Sequence, residues 1–261
     1  MVNMYLIGFF LISILSIEAF NLNPFSRSVL GDVKIMKPFN SEFNSSVVFI
    51  PMTDYVTGDF YSNFAYYLTG RNLKVCIPDP DMDKTNNLLI EMVNNNENIT
   101  IVSHSSGVDK AVSLCNNFNI KKLVMIDAVN TNDIFNQKRK YNLNSVDDLV
   151  LCNTKKSYKW SIRPRLPLGL FLVKPENIIT TADKLVIESP DYGHFDLLDK
   201  KWSDIMDATL SKGCDDRSVE KLESYQNWVA NIVSHVCNDE LEKIESDNTI
   251  KKIFYSIFKI K

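Results

Sequence analysis

Short apolar runs rich in β-branched residues recur through the middle of the chain. They cover residues 46–50, 73–77, 99–102, 123–126, 148–152 and 184–188. Stretches with helical spacing of apolar residues separate several of these runs, at residues 60–70, 84–96 and 107–118. A strand with one face in water alternates apolar and polar residues, so a continuous apolar run indicates a strand covered on both faces. The sequence therefore predicts an α/β fold with a mainly parallel central sheet and helices on both faces.

The composition limits the class of protein. The chain has 261 residues, of which 45% are hydrophobic and 23% charged, as in ordinary globular domains. We assign residues 46–240 to one such domain. The net charge of −3 gives no general attraction for nucleic acid phosphates, so we expect no nucleic-acid partner.

Cysteine and histidine are too few and too scattered for a structural metal site. There are 5 Cys and 3 His, without CxxC or HxxxH spacing. We expect neither a metal nor another cofactor. For a disulfide, Cys214 and Cys237 are the preferred pair because both follow the predicted sheet.

The N-terminus has the features of a targeting segment. Residues 5–17 are apolar or small and uncharged, which is too short for a membrane span but fits the core of a signal peptide cleaved after Ala19. An uncleaved anchor is the alternative. We therefore expect entry into the secretory pathway, with secretion as one outcome. Residues 20–45 form either an extended arm or a second leader, as in plastids reached through the secretory route.

Ser105 lies where a strand turns sharply into a helix. The strand at 99–102 runs into Ser103-His104-Ser105-Ser106-Gly107, and a helix follows. A serine at the apex of such a turn is the nucleophile elbow of α/β-hydrolases, which requires small residues two positions before and after it. Ser103 and Gly107 are small. The alternative is that Ser105 only caps the helix.

A nucleophilic serine needs a base, and His194 is the preferred one. It follows the strand at 184–188, where the α/β-hydrolase fold places its base. His104 adjoins Ser105, but its side chain is expected to point away from the apex of the turn. His235 lies in a late helical stretch and is expected to be packed or exposed.

Asp127 is the preferred acid because it ends the strand at 123–126, at the same sheet edge. A carboxylate there can fix the tautomer of His194 and stabilise its charged form. The alternative is that Asp127 caps the next helix. Asp191 and Asp196 flank His194 and are kept in reserve.

The oxyanion hole is expected to use two backbone N–H groups. One belongs to Ser106, and the other to the loop after the first strand. Pro51 in that loop has no N–H, so Met52 or Thr53 is the expected donor.

Four segments within residues 46–200 resemble the chlorophyllase-like branch of the α/β-hydrolases, and the first comprises the initial strands and helix at 47–78. The turn at 103–107 is similar to the family's Gly-His-Ser-Arg-Gly-Gly, and residues 126–129 to its Ile-Asp-Pro-Val. Residues 191–199, Asp-Tyr-Gly-His-Phe-Asp-Leu-Leu-Asp, nearly repeat its Asp-Tyr-Gly-His-Met-Asp-Met-Leu-Asp. The resemblance implies a Ser105–Asp127–His194 triad and metal-free hydrolysis of an ester.

Two further segments bear on the substrate. Residues 158–175 hold apolar side chains, among them Trp160, Leu168 and Phe171, which can line a pocket for a small hydrophobic ester, chlorophyll-like or lipid-like. The alternative is an ordinary packed connection. The tail at 241–261 is basic and amphipathic, so it either contacts a membrane surface or docks on the domain's own core. A catalytically inactive binding protein and a membrane-surface phospholipase or lipase are the alternative functions.

Overall fold

A computed structural model of the chain describes residues 33–38, 43, 45–52, 58–78, 82–130, 139–154, 161–162, 166–167, 172–189, 191–210 and 218–244. Its central sheet has seven strands. In chain order these are β1 (Lys34–Met36), β2 (Ser45–Ile50), β3 (Leu73–Ile77), β4 (Ile99–His104), β5 (Lys122–Ile126), β6 (Asp148–Thr154) and β7 (Asp183–Ser189). Two minor pairs accompany the sheet: Tyr141–Asn142 with Ile178–Ile179, and Ser161–Ile162 with Leu166–Pro167.

The strand order is β1-β3-β2-β4-β5-β6-β7. Strand β1 pairs antiparallel with β3, and every other neighbouring pair in this sheet is parallel. The carboxyl ends of β2, β4, β5, β6 and β7 therefore meet at one edge. This confirms the predicted mainly parallel sheet.

Helices cover both faces of the sheet, as the continuous apolar runs predicted. They are α1 (Ser62–Thr69), α2 (Met82–Asn94), α3 (Val108–Phe118), α4 (Lys200–Leu210) and α5 (Val219–Cys237). Side chains of α1 and α5 pack with Val47 and Phe49 on one face, and those of α2 and α3 pack with Val48 and Ile50 on the other. Successive residues of β2 thus enter opposite cores, because side chains alternate along a strand.

The N-terminal part of the sheet differs from the sequence prediction in one respect. Residues 34–36 belong to the segment predicted to be an extended arm or a second leader, and they form the edge strand β1. Lys34 and its neighbours give no apolar run, and only two of the three residues are partly buried. The pairing with β3 therefore has no signal in the local sequence.

Several predictions fall outside the described residues. These are the signal peptide at 1–19, the arm or leader before residue 33, Thr53, Trp160, Leu168, Phe171, Cys214 and the tail after residue 244. Within the described part of the chain, no helix is both long and apolar enough to cross a membrane. The start of the predicted tail packs on the domain, since Ile244 is buried in the core and Leu241 lies against it.

The preferred disulfide between Cys214 and Cys237 is not formed. Cys237 is a free, buried thiol whose Sγ lies 3.3 Å from the Thr100 hydroxyl. Burial raises the pKa of this thiol to about 11. The predicted pairing rests only on the position of both cysteines late in the chain, which carries no information on the distance between them.

The C-terminal end of α5 is fastened to the sheet through one carbonyl group. The Cys237 carbonyl accepts hydrogen bonds from Ser45 Oγ at 3.2 Å, Asn98 Nδ2 at 3.1 Å and Lys122 Nζ at 3.0 Å. Lys122 is buried, and its ammonium also pairs with Asp239 at 2.8 Å. A cation at this helix end satisfies an orphan carbonyl and complements the helix dipole.

Replacing Lys122 by Met tests this anchor. The substitution keeps the buried stem but removes the charged donor, so we expect the free energy of unfolding to fall by about 1.5–3 kcal/mol, as for hydrogen bonds to charged groups. Lys121→Met is the matched control, because Lys121 is half exposed and its carboxylate partner lies 3.5 Å away. The control should change stability by less than about 1 kcal/mol. Urea denaturation measures the free energy of unfolding of both variants. An equal loss of stability in the two variants would contradict the role of Lys122 as an anchor.

Candidate active site

Ser105 occupies a strained turn between β4 and α3. A single 3-10 turn, Ser105–Gly107, joins the two elements, and Ser105 has a φ of 54°. A positive φ is unfavourable for a residue with a Cβ and is retained mainly where the surrounding structure imposes it, often at functional sites. This strand–turn–helix with serine at its apex is the geometry of a nucleophile elbow.

Gly107 permits the close approach on which the turn depends. A Cβ at this position would lie 2.5 Å from the Pro51 carbonyl oxygen and 2.8 Å from that of Ile50. Both contacts are to backbone, which cannot rotate away. The start of α3 therefore packs directly on the loop after β2, as the requirement for a small residue at this position predicted.

His194 reaches Ser105 from the loop after β7. Its Nε2 lies 2.8 Å from Ser105 Oγ, within hydrogen-bond distance. The two residues are only 5% and 6% exposed, so water screens their interaction weakly. An imidazole in this position can accept the serine proton.

Asp127 lies on the other side of the imidazole. Its Oδ2 is 3.6 Å from His194 Nδ1, which is longer than a hydrogen bond but within ion-pair range. Asp127 has a φ of 42°, and its N–H donates to the Cys152 carbonyl at 2.8 Å. Two residues later, the Val129 N–H donates to the Ser105 carbonyl at 2.9 Å. The turn after β5 is therefore bonded to both the elbow and β6.

Thr154, the last residue of β6, holds the Asp127 carboxylate. Its N–H donates to Oδ1 and its hydroxyl to Oδ2, each at 2.7 Å. Asp127 is fully buried, so these donors replace the water that the carboxylate loses. The charge also acts on its neighbours. Burial first, and then Asp127, raise the pKa of both Cys152 and Tyr225.

The loop that carries His194 is shaped by its own acidic residues. The Gly193 N–H donates to Asp196 Oδ2 at 2.8 Å. Asp199 accepts from the N–H groups of Ser62 and Asn63, at 3.1 and 2.9 Å, and so binds the first turn of α1. Asp196, kept in reserve as an acid, thus bonds the loop's own backbone, and the other reserve, Asp191, is exposed.

His104 points away from the apex of the turn, as predicted, and lies under His194. Its Nδ1 is 2.8 Å from the Tyr61 hydroxyl and its Nε2 is 3.0 Å from the His194 carbonyl oxygen. Burial, followed by the proximity of the His194 ring, lowers the pKa of His104 well below its usual value. His235 is bonded to Glu240 at 2.9 Å in the last turn of α5, outside this site.

The two described candidates for the oxyanion hole differ. Ser106 lies in the first turn after β4, where N–H groups have no partner within the helix. The Met52 N–H donates to the Tyr61 hydroxyl at 3.3 Å. Met52 is therefore already engaged, and Thr53 lies outside the described residues.

Three residues of this site were not predicted from the sequence: Tyr61, Thr154 and Gln226. Gln226 on α5 is fully buried and donates to the Leu198 carbonyl at 2.9 Å, behind the His194 loop. Each of them bonds a residue that is distant in sequence, and no local sequence pattern predicts such a contact. The sequence offers one signal for such residues: a polar side chain at a position that the helical or strand spacing assigns to the core.

No metal centre accompanies the site in the described part of the chain. No group of three or more His, Cys, Asp or Glu side chains there is arranged to hold a metal ion.

The sheet order and the elbow are those of the α/β-hydrolase fold. No protein-family model and no curated protein matches the chain. Among solved structures it is similar to the esterase domain of a Rhodothermus marinus protein, with 10% identity, a TM-score of 0.49 and coverage of 78% of this chain and 92% of that chain. A protein of unknown function from Staphylococcus aureus Mu50 has 10% identity, a TM-score of 0.48 and coverage of 78% and 94%. A soluble variant of monoglyceride lipase from Saccharomyces cerevisiae has 9% identity, a TM-score of 0.47 and coverage of 80% and 91%.

Gly107→Ala tests the close approach at the elbow. The added methyl group meets two backbone carbonyls, so we expect a loss of about 1–3 kcal/mol in the free energy of unfolding. Gly70→Ala is the matched control, because a Cβ there lies 3.5 Å from its nearest neighbour and φ is −61°. The control should be neutral or stabilising by up to about 1 kcal/mol. Thermal denaturation compares them, and an unaffected Gly107 variant would contradict the packing.

Proposed function

We propose that this protein is a serine hydrolase that cleaves a carboxylic ester through Ser105, His194 and Asp127. The observation that carries the proposal is the 2.8 Å contact between Ser105 Oγ and His194 Nε2, made by a serine with a φ of 54°. An ordinary helix cap neither requires this backbone strain nor brings an imidazole to the serine from another strand.

In the first half of the reaction, Ser105 Oγ attacks the ester carbonyl carbon while His194 Nε2 takes its proton. The carbonyl electrons move onto oxygen, and the Ser106 N–H with a second donor from the loop after β2 stabilises that negative charge. When the intermediate collapses, the bond to the alcohol oxygen breaks, and His194 gives its proton to the departing alcohol. The acyl group remains bonded to Ser105.

In the second half, water attacks the acyl-enzyme. His194 takes a proton from the water and returns it to Ser105 as the acid leaves. An ester suits this arrangement better than an amide, because an alcohol leaves with less assistance than an amine.

Asp127 orients the imidazole and stabilises its charged form. Its carboxylate is buried and is fixed by two donors from Thr154, so it does not reorganise when His194 becomes protonated. The 3.6 Å separation from Nδ1 exceeds hydrogen-bond distance, and catalytic hydrogen bonds are often this long without substrate and tighten in the substrate complex.

The substrate class is proposed as a small hydrophobic ester, either chlorophyll-like or lipid-like. The resemblance of residues 191–199 to the chlorophyllase-like nonapeptide supports the first. The apolar segment at 158–175 supports either. Delivery through the secretory pathway, with a plastid as the alternative destination, and a peripheral membrane contact through the tail at 241–261 belong to the same proposal. That contact is what a membrane-surface phospholipase or lipase would use.

A catalytically inactive binding protein is the second candidate. One observation favours it: the Met52 N–H, an expected oxyanion donor, is bonded to Tyr61. An enzyme that lacks a second donor would lose about 2.7–4 kcal/mol of transition-state stabilisation.

Labelling with a fluorophosphonate distinguishes the two candidates. The reagent phosphonylates only an activated serine, so we expect the wild-type protein to be labelled, with the adduct on the peptide that contains Ser105 by mass spectrometry. Ser105→Ala should abolish labelling. Ser113→Ala, which alters an exposed serine on α3, is the control and should be labelled like the wild type. A folded wild-type protein that remains unlabelled would favour the binding protein.

Asp127→Asn tests the role of the carboxylate. The amide keeps the shape but disturbs the hydrogen bonding that fixes the imidazole tautomer, so we expect kcat for a p-nitrophenyl ester to fall by about 10³–10⁴-fold. The KM should change little. Activity within about threefold of the wild type would exclude Asp127 as the third member of the triad.

A further inference from the structure

We propose that His104 and Tyr61 form a positioning pair that sets the location of His194 relative to Ser105 and ties it to the loop after β2. This inference rests on the proposed function, since it assigns the pair to the same reaction. Neither residue touches the reacting atoms. Both act through the backbone of His194 and of the loop after β2.

The pair spans the space between two catalytic segments. Tyr61 and His104 are both fully buried. The Tyr61 hydroxyl lies 3.3 Å from the Met52 nitrogen and 2.8 Å from His104 Nδ1. On the other side of the ring, His104 Nε2 lies 3.0 Å from the His194 carbonyl oxygen. A continuous chain of hydrogen bonds therefore runs from the loop after β2 to the residue that bonds Ser105.

The acceptors in this series of hydrogen bonds determine which atoms carry the hydrogens. The His194 carbonyl can only accept, so His104 Nε2 must carry the proton. Nδ1 of the neutral ring is then an acceptor, and the Tyr61 hydroxyl donates to it. The phenolic oxygen remains free to accept from the Met52 N–H. This single arrangement satisfies all three contacts.

Burial keeps both side chains neutral, as the arrangement requires. It lowers the pKa of His104 well below its usual value and raises that of Tyr61. The centres of the His104 and His194 rings are 4.9 Å apart. A neutral ring at that distance adds no positive charge to oppose the imidazolium that forms on His194.

An apolar residue could fill the space under His194 but could not hold its carbonyl. Asp196 bonds the backbone of its own loop, and Gln226 on α5 holds the loop at Leu198, whereas His104 contacts the His194 carbonyl itself. Since a misplacement of about 1 Å can cost roughly 100-fold in rate, this contact bears directly on catalysis.

Two substitutions at His104 separate positioning from packing. His104→Leu fills the space but removes both hydrogen bonds. His104→Gln keeps an amide N–H for the His194 carbonyl and an oxygen that can accept from Tyr61. We expect the rate constant of fluorophosphonate labelling at Ser105, and kcat with a p-nitrophenyl ester, to fall about 10–100-fold in the Leu variant at little changed KM.

The Gln variant should recover most of that loss, and Tyr61→Phe should show an intermediate one. Thermal denaturation confirms that each variant is folded. A folded Leu variant that reacts at the wild-type rate would overturn the proposal, as would equal losses in the Leu and Gln variants.

The tautomer of His104 can be measured without catalysis, so it tests the pair independently of the proposed hydrolase activity. With three histidines in the chain, nitrogen-15 NMR of the imidazole rings can determine their tautomers. We expect the neutral Nε2-protonated form for His104 in the wild type and in Ser105→Ala. If His104 has that form in a protein that the fluorophosphonate does not label at Ser105, the hydrogen-bonded pair is supported and the proposed hydrolase activity is contradicted. The Nδ1-protonated form would overturn the pair whatever the labelling shows.

Discussion

The close approach of the elbow to the loop after β2 is the constraint on which the site depends. The packing leaves no room for a Cβ at Gly107, which lies against the carbonyls of Ile50 and Pro51. Because this contact joins α3 to the end of β2, it fixes where Ser105 stands above the sheet. The left-handed backbone of Ser105 follows from the same turn, since the chain must reverse from strand to helix within three residues. Strain at one residue is thus offset by packing of the elements on either side.

The parallel sheet gathers at one edge groups that are far apart in sequence. Ser105 follows β4, Asp127 follows β5, Thr154 ends β6 and His194 follows β7. Adjacent parallel strands place their carboxyl ends side by side, so consecutive crossovers deliver successive parts of one site. Long-range hydrogen bonds then refine the positions that the topology supplies. Thr154 holds the Asp127 carboxylate, and His104, itself bonded to Tyr61, contacts the His194 carbonyl.

The fold could be predicted because it depends on local patterns. The strand at 73–77 has the bounds expected from its apolar run, and the residues of β2 divide between two cores as continuous apolar strands require. The meeting of Ser105, Asp127 and His194 could also be predicted, because Ser105 and Asp127 directly follow parallel strands and His194 lies in the loop after another. The short strand β1 could not, since its pairing with β3 is set by tertiary contact. Tyr61 and Thr154 likewise have partners 43 and 27 residues away, and only the folded chain shows which buried polar groups meet.

Acylation of Ser105 is the step on which the proposed ester hydrolysis depends. The most direct test mixes the protein with a short-chain p-nitrophenyl ester, quenches the reaction with acid within milliseconds and measures the intact mass. We expect one added acyl group per chain, located by peptide mapping on Ser105 and absent from Ser105→Ala. Hydrolysis that proceeds in the Ser105→Ala protein, or an acyl group on another residue of the wild type, would contradict it.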